Sequence, residues 1–260
     1  MSSECRIIGV TVGVGLLHAK LAKLAATCFT THTGLPVAVL GPDELAHSGL
    51  VHPAALRLRA FDYVDADVVV YFDSDWLCLN PWSPALYARN RAFIACRDFI
   101  LQSEWPEQRY DYGSSAFKAD GAHEGFPIDG PVRDDYISQV AMFAGLNTGS
   151  HRWINTGLFI AHRQEHESVL SHAVALYGIS VGHHPEYYEQ PALNKAIEAT
   201  NTRLLFLSRK HNVLAAYERI WDRSVIGLHA KMKRHGTFIA KLNTGQLTTA
   251  AAVRHHFLNE

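Results

Sequence analysis

Two aspartates stand one residue apart directly after a strongly apolar run, in the stretch VVVYFDSDWLCLNPW (68–82). The run from Val68 to Phe72 predicts a strand that is buried on both faces, as in a parallel sheet. A pair of carboxylates at the tip of such a strand, Asp73 and Asp75, needs a partner. Two interpretations are open. The acids belong to a solvated loop, or they form a metal site at the carboxyl end of a central strand, where open α/β sheets place their ligands.

A histidine late in the chain could complete such a site. His229 directly follows the apolar VIGL, so it would lie at the tip of another strand. Carboxylate oxygens favour a hard cation such as Mg²⁺ or Mn²⁺, and one imidazole among the ligands shifts the preference toward Mn²⁺. The residues that follow, KMKR (231–234), supply cationic groups for phosphate oxygens. A capping or core histidine and a solvated basic turn would look the same in isolation.

Glycines near the amino terminus suggest a second binding element. Gly13 and Gly15 match the start of the dinucleotide fingerprint G-x-G-x-x-G, but His18 stands where the third glycine belongs. The fingerprint is therefore weak. The glycines either let the backbone approach a ligand at the tip of the first strand or form an ordinary turn.

The elements that must position these residues alternate in type over the first hundred residues. We predict strands over 6–12, within 35–44, at 68–72 and over 91–98, with helices over 16–34 and 52–64. A turn at Gly41 and Pro42 closes the second of these strands. Strands that alternate with helices predict a parallel, Rossmann-like sheet.

The remainder of the chain is less regular. The segment 99–131 is long and rich in turn formers, which indicates a functional or mobile loop. We predict helices over 133–146, 164–177 and 186–199, and strands within 153–163, 202–208 and 224–236. Without repeats or an obvious linker, we expect one domain over 1–260.

Composition narrows the partners. The formal net charge of −1 argues against nucleic acid or an anionic membrane as a non-specific partner. The four cysteines lie far apart without a CxxC pair, so we expect reduced, buried thiols. No apolar stretch is long enough for a membrane span, and the amino terminus is poorly formed as a signal peptide. We therefore expect a cytoplasmic protein; peripheral association with a membrane and formation of a homodimer stay open.

Several segments together resemble the GT-A glycosyltransferases, especially the family-8-like enzymes. RAFDYVDADVVVYFDSDWLCL resembles the segment that leads into the metal-binding D-x-D of that family, and WINTGLFIAHR resembles its N-[ST]-G strand. YYEQPALN and GLHAKMK are similar to two later motifs, the second of which ends in a metal-binding histidine. The resemblance spans most of the chain. It implies a Rossmann-like GT-A nucleotide-diphospho-sugar transferase fold, with a mixed central sheet flanked by helices. Within the single domain it implies a nucleotide-binding half roughly at 1–98 and an acceptor-binding half roughly at 99–260.

The resemblance also implies roles for individual residues. The metal ligands would be Asp73, Asp75 and His229, with Mn²⁺ or Mg²⁺ as the cofactor. The nucleotide-sugar donor would be bound by Thr11, Gly13, Gly15, Arg57, Ser74, Lys231 and Lys233. The transferred sugar and the acceptor would be surrounded by Asp98, Asn155, Glu189 and Gln190, of which the last three are the catalytic candidates.

Two departures from the family pattern affect these assignments. The family's last motif commonly reads H-x-x-G-x-x-K, but Met232 stands at the glycine position and His235 at the lysine position. The group that meets the diphosphate therefore stays open among Lys231, Lys233, Arg234 and His235. Glu189 stands where many relatives carry aspartate.

The resemblance implies transfer of a sugar from a nucleotide-diphosphate sugar, by default a UDP-hexose, to a hydroxyl of a glycan, a lipid-linked or a protein acceptor, with retention of configuration. Two alternatives stay open. A haloacid-dehalogenase-like phosphatase also places D-x-D after an apolar strand, although that strand usually opens its domain. A non-catalytic module that binds a sugar nucleotide would carry the same motifs.

Overall fold

The computed structural model describes residues 5–97, 154–180, 189–214, 224–230 and 236–259. The predicted helix over 133–146 and the long segment 99–131 lie outside the described residues, as do Asp98, Lys231 and Lys233.

The amino-terminal elements alternate as the sequence predicts. They are β1 (Ile7–Val12), α1 (Leu16–Thr33), β2 (Val37–Leu40), α2 (Pro42–Ser48), a 3₁₀ helix (Pro53–Arg59), α3 (Ala60–Tyr63), β3 (Val68–Phe72), β4 (Trp76–Cys78), α4 (Pro84–Ala88) and β5 (Phe93–Arg97).

The later elements complete the sheets and cover them. They are β6 (Ile154–His162), α5 (Arg163–Ser180), α6 (Glu189–Ala199), β7 (Leu204–Phe206), a second 3₁₀ helix (Arg209–His211), β8 (Val213–Leu214), β9 (Gly227–His229), α7 (Gly236–Asn243) and α8 (Ala250–Asn259).

Six of the described strands form one mixed sheet in the order β2-β1-β3-β6-β5-β7. β1 pairs in parallel with β2 and β3, whereas β6 runs antiparallel to both β3 and β5. This is the mixed α/β architecture that the sequence predicts. Because β6 lies between β3 and β5, the predicted nucleotide-binding and acceptor-binding halves share one sheet, and their separation stays a prediction.

The buried valine run of β3 is confirmed. Every residue of the strand is buried. Val69 and Tyr71 join a core cluster on one side of the sheet, whereas Val68, Val70 and Phe72 join a cluster on the other. This division follows from the alternation of side chains along a strand. Helices on both faces therefore explain why the strand lacks a polar side.

A second, smaller sheet carries the late histidine. β9 lies between β4 and β8, antiparallel to β4 and parallel to β8. In this register Trp76 lies opposite His229. Since β4 begins one residue after Asp75, the small sheet brings His229 to the end of β3.

Three parts of the helical prediction were wrong. The segment 52–64 forms a 3₁₀ helix and then one short α-helical turn, where we predicted a single helix. Helix α2 follows the strand that we expected to end in a simple turn. Pro42 is its first residue, and Glu44 Oε2 accepts a hydrogen bond of 2.7 Å from the Gly41 N–H. Helices α7 and α8 were not predicted. Within the described ranges, no helix is both long and apolar enough to span a membrane.

Candidate metal centre and donor cavity

Asp73, Asp75 and His229 converge at the end of β3. His229 Nε2 lies 3.1 Å from Asp75 Oδ1 and 3.6 Å from Asp73 Oδ2. One potential ligand atom from each residue lies within 4.8 Å of the other two. His229 is buried, while about a fifth of each carboxylate side chain is exposed (20% for Asp73 and 19% for Asp75). The cluster can therefore be reached by an ion from solvent.

Backbone hydrogen bonds fix the two acids on either side of a tight turn. The Asp73 N–H donates to the Gly157 carbonyl at 2.9 Å, and the Trp76 N–H donates to the Asp73 carbonyl at 2.9 Å. The Asp75 carbonyl accepts from the Ala230 N–H at 2.8 Å, next to His229. The acids are thus tied to both sheets.

Asp73 is also held by two buried side chains. Arg57 Nη2 donates to Asp73 Oδ1 at 2.6 Å, and the Tyr71 hydroxyl donates to the same oxygen at 2.8 Å. Burial by itself lowers the pKa of Arg57, but Asp73, Tyr71 and Glu189 raise it above its ordinary value. The guanidinium therefore stays charged. Burial raises the pKa of Tyr71, so its hydroxyl keeps the proton that it donates.

The remaining nitrogens of Arg57 reach backbone and side-chain oxygens. Nη1 donates to the carbonyl and to Oγ1 of Thr156, each at 2.8 Å, and Nε donates to the Ala54 carbonyl at 2.8 Å. Only 4% of Arg57 is exposed. The structure places the guanidinium in a buried network around Asp73, at the wall of the cavity described below, and its approach to the donor stays a prediction.

The His229 imidazole controls the charge of Asp75. Burial would raise the pKa of Asp75, but the imidazole and its hydrogen bond lower that pKa to about 2. Asp75 is therefore an anion at neutral pH, as a cation ligand must be.

Two observations show that these residues suit a divalent cation. The donor set consists of carboxylate oxygens and one imidazole nitrogen, which suits a divalent cation such as Mn²⁺ or Mg²⁺. The imidazole is also seated in a fitted space, since a Cβ on Gly157 would lie 2.6 Å from His229 Cε1 and 2.8 Å from Nδ1. A side chain at position 157 would displace the ring.

Glu189 and Gln190 begin helix α6 beside this network. Glu189 is buried with Oε1 at 4.0 Å from Arg57 Nη2, and burial raises its pKa although Arg57 opposes the shift. Gln190 Oε1 accepts from the Thr156 N–H at 3.2 Å. Each of these predicted catalytic candidates therefore lies next to a member of the Arg57 network. Glu189 lies next to Arg57 itself, and Gln190 lies next to Thr156.

Asn155 is engaged inside the protein. Its Oδ1 accepts from the Gly157 N–H at 2.9 Å and from Asn212 Nδ2 at 3.0 Å, and only 8% of the residue is exposed.

A cavity of about 410 Å³ opens next to the acids. One part of its wall is apolar and consists of Val12, Val14, Pro53 and Ala54. The polar part consists of His18, His52, Arg57, Tyr71, Asp73, Ser74 and Asp75. Such a cavity beyond the carboxyl ends of β1 and β3 is where an open α/β sheet binds its ligands.

The residues predicted at the tip of β1 have different environments. Thr11 is fully buried within the strand, and its hydroxyl has no hydrogen-bonding partner among the residues that the structure describes. Val12 and Val14 line the cavity in its place. Gly13 permits a close approach of β1 to α1, because a Cβ there would lie 2.9 Å from that of Ala22. Gly15 begins helix α1 with φ 85°, a conformation that glycine adopts readily.

Several residues of the site are not predicted by the sequence. His18 interrupts the glycine fingerprint, yet its Nδ1 lies 3.1 Å from Ser74 Oγ at the cavity wall. Tyr71, Thr156 and Asn212 contribute hydrogen bonds from buried positions. The only signal for them is proximity to a motif, since Tyr71 lies two residues before Asp73 and Thr156 lies inside N-T-G.

Comparison with known proteins identifies the fold. No protein-family model matches the chain, and no curated protein sequence matches it. The structure is similar to that of the galactosyltransferase LgtC in complex with donor and acceptor sugar analogues, with a TM-score of 0.52 and 13% identity over 93% of this chain and 96% of that one. It is also similar to GlyE from Streptococcus pneumoniae, with a TM-score of 0.57 and 12% identity over 98% of this chain and 63% of that one.

A third similar structure is a glycosyltransferase involved in glycosylation of the major capsid of PBCV-1, with a TM-score of 0.51 and 12% identity over 93% of this chain and all of that one. The chain therefore has the fold of the GT-A glycosyltransferases, as the sequence predicts. The haloacid-dehalogenase alternative has no support in this fold.

Proposed function

We propose that the protein is a metal-dependent glycosyltransferase that moves a sugar from a nucleotide-diphosphate sugar, by default a UDP-hexose, to a hydroxyl acceptor. The observation that carries the proposal is the convergence of Asp73, Asp75 and His229 at the wall of a 410 Å³ cavity, within a GT-A glycosyltransferase fold.

In this proposal Asp73, Asp75 and His229 bind the cation. The imidazole makes Mn²⁺ the preferred ion over Mg²⁺. When bound, the ion supplies positive charge that stabilises the leaving diphosphate as its bond to the sugar breaks.

The residues around Asp73 orient that carboxylate. Arg57 and Tyr71 both donate to Oδ1, so Oδ2 is the oxygen that faces His229. A ligand whose rotamer is fixed before the ion arrives loses less conformational freedom on binding. Arg57 therefore supports the donor site through Asp73.

The nucleotide part of the donor occupies the cavity. Ser74 and Asp73 lie near the ribose, and the tip of β1 through Gly13 and Gly15 lies near the base, with Thr11 behind it. Lys231 and Lys233 are proposed for the diphosphate from the sequence alone, because both lie outside the described residues.

The acceptor and the transferred sugar lie toward α6. Gln190 and Glu189 are the proposed polar groups on this side, together with Asp98 from outside the described residues. The acceptor is proposed as a hydroxyl of a glycan, a lipid-linked sugar or a protein. Retention of anomeric configuration is proposed on the basis of the sequence resemblance, and NMR of the product linkage would test it.

A thermal-shift screen of nucleotide-diphosphate sugars, each with and without Mn²⁺, tests donor binding. A ligand that binds only the folded state raises the melting temperature by mass action. We expect one donor class to stabilise the protein only when Mn²⁺ is present. Asp73→Asn and Asp75→Asn should abolish that shift, and normal sugar transfer by either variant with added Mn²⁺ would contradict the proposal.

Turnover of the donor that this screen identifies distinguishes an enzyme from a non-catalytic binding module. A donor that binds with Mn²⁺ yet is neither hydrolysed nor transferred to any acceptor offered would favour the module. Release of nucleoside diphosphate from the bound donor would favour the enzyme.

A further inference from the structure

The seat of His229 includes Gly157 and Asn155, which lie two residues apart on β6. Its imidazole and the Asn155 side chain crowd one point, because a Cβ on Gly157 would lie 2.6 Å from His229 Cε1 and 2.9 Å from Asn155 Oδ1. Both residues are buried, at 7% and 8% exposure. The Asn155 amide and the imidazole therefore both lie next to Gly157, on the same side of β6.

Asn155 stands where the large sheet departs from regular pairing. Its neighbour β5 shifts register between Ala95 and Cys96, which lie opposite Phe159 and Asn155. Such an irregularity leaves backbone groups without ladder partners. Asn155 Oδ1 accepts a hydrogen bond of 2.9 Å from the Gly157 N–H within this irregular stretch. This bond stabilises the bulged backbone on which the imidazole rests.

Asn212 joins this bulge to the small sheet. Its Nδ2 donates to Asn155 Oδ1 at 3.0 Å, and only 6% of the residue is exposed. It directly precedes β8, whose residues Val213 and Leu214 pair with Leu228 and His229. The hydrogen bond between the two asparagines therefore links the strand that seats the imidazole to the sheet that carries it.

We propose that Asn212 is a positioning residue of the metal centre. Through Asn155 it holds the His229 imidazole at the distance from Asp73 and Asp75 that an ion requires, and it thereby sets the preference for Mn²⁺ over Mg²⁺. The inference rests on the metal centre of the proposed function. It also gives Asn155 a role in supporting His229, beside its predicted place near the sugar.

The preference between ions provides the diagnostic measurement. Mg²⁺ relies on oxygen ligands, whereas an imidazole favours Mn²⁺. Loss of the imidazole's position should therefore weaken Mn²⁺ binding more than Mg²⁺ binding. A general loss of stability would not change the ratio of the two affinities in the folded protein.

The experiment measures Mn²⁺ and Mg²⁺ binding to the full-length, nucleotide-free protein, with free Mn²⁺ followed by electron paramagnetic resonance and Mg²⁺ by competition. For Asn212→Ala we expect Mn²⁺ affinity to fall about 10-fold, within the range usual for groups that orient metal ligands. Mg²⁺ affinity should change by less than about threefold, since its oxygen ligands stay in place. Asn212→Ser, which keeps a shorter donor, should give an intermediate Mn²⁺ affinity and serves if the alanine variant does not fold.

Asn80→Ala is the matched control. Asn80 Nδ2 donates to the Val225 carbonyl at 2.5 Å and so braces the same small sheet away from His229. This variant should lose stability while keeping the wild-type ratio of Mn²⁺ to Mg²⁺ affinity.

The outcomes distinguish the positioning role of Asn212 from the existence of the metal centre. If His229→Ala loses the Mn²⁺ preference but folded Asn212→Ala and Asn212→Ser keep it, the positioning role is wrong and the metal centre stands. If His229→Ala binds Mn²⁺ as tightly as the wild type, the metal centre itself is wrong.

Discussion

Two buried histidines of this protein, His229 and His211, have opposite surroundings. His229 is 7% exposed and faces two carboxylates. His211 is 3% exposed and lies among aromatic rings, with centroids 5.3 Å from Trp82 and 5.6 Å from Tyr87. One imidazole is thus placed to bind a cation, and the other is placed to pack.

Hydrogen bonds reinforce the difference. His211 Nδ1 donates to the Ser208 carbonyl at 3.0 Å, and its Nε2 lies 3.4 Å from the Tyr87 hydroxyl. Burial lowers the pKa of His211, so the ring is neutral at pH 7. The chain contains 16 histidines, so residue type alone could not have selected the ligand. What selects it is its position at the end of β9, beside the two acids that follow β3.

The largest expected effect comes from removing these two imidazoles, one at a time. His229→Ala should lower kcat/KM by roughly 100- to 1,000-fold, because stabilisation of the leaving group is lost. His211→Ala should leave the kinetics of the folded protein nearly unchanged but lower the free energy of unfolding by roughly 1–3 kcal/mol, through lost packing and hydrogen bonds. Steady-state kinetics and urea unfolding of both variants would check this, and comparable activity losses would erase the distinction.

A smaller effect is expected where the backbone seats the ligand. Gly157→Ala places a Cβ 2.6 Å from His229 Cε1, so the imidazole must move. We expect Mn²⁺ affinity to fall roughly 10- to 100-fold. Gly178→Ala is the matched control, since a Cβ there meets nothing within 4 Å. That helical substitution should stabilise the protein by roughly 0.5–1 kcal/mol without changing Mn²⁺ binding. Equal Mn²⁺ affinities in the two variants would refute the steric argument.

A smaller change in Mn²⁺ affinity is expected from a residue that orients Asp73. Tyr71→Phe removes the hydroxyl that donates to Asp73 Oδ1 at 2.8 Å, while Arg57 continues to hold that oxygen. We expect the apparent affinity for Mn²⁺ to fall by about threefold to tenfold, which corresponds to one hydrogen bond of roughly 1 kcal/mol. Titration of activity against Mn²⁺ concentration would measure it. No change in that titration would mean that Arg57 alone orients the carboxylate.

The smallest effect concerns a histidine that resembles His211. His166 lies edge-on to Phe93, and burial lowers its pKa to about 4. The unfolded chain binds this proton more readily than the folded one, so the contribution to stability is complete above pH 6.5 and is lost as the pH falls toward 4. We expect a loss of about 1 kcal/mol between pH 7 and pH 5.

Urea unfolding of the wild type and of His166→Asn at both pH values would isolate this term. The asparagine can still accept from the His162 N–H but does not titrate, so the variant should show the smaller pH dependence. An equal dependence in both proteins would assign the acid sensitivity to other groups.

The sequence predicts those parts of the site that depend on short, continuous stretches of residues. The apolar stretch before Asp73 predicts the buried strand, and VIGL before His229 predicts a second strand end. Local pattern therefore predicted β3, its acids and most of the alternation around them. The resemblance of several motifs added the GT-A fold.

The parts that the sequence did not reveal depend on contacts between distant segments. Asn212 acquires its role from Asn155, and Arg57 acquires its partners from Thr156 and Asp73. No pattern within one element encodes such a pair. Helix α2 was missed for a different reason, because Gly41 and Pro42 were interpreted as the end of a strand although they also begin a helix.

The position of β6 has a consequence for how the chain reaches this state. Among the described strands, β5 pairs only with β6 and β7, both of which come later in the sequence. A nascent chain that has emerged only as far as residue 97 therefore has β5 without a neighbour and β3 paired on one edge alone. Pairings so far apart along the chain form slowly, and unpaired strand edges invite association with other chains. Ribosome-bound chains that have emerged from the exit tunnel only as far as residue 97 should accordingly be protease-sensitive, and protection should begin once β6 has emerged.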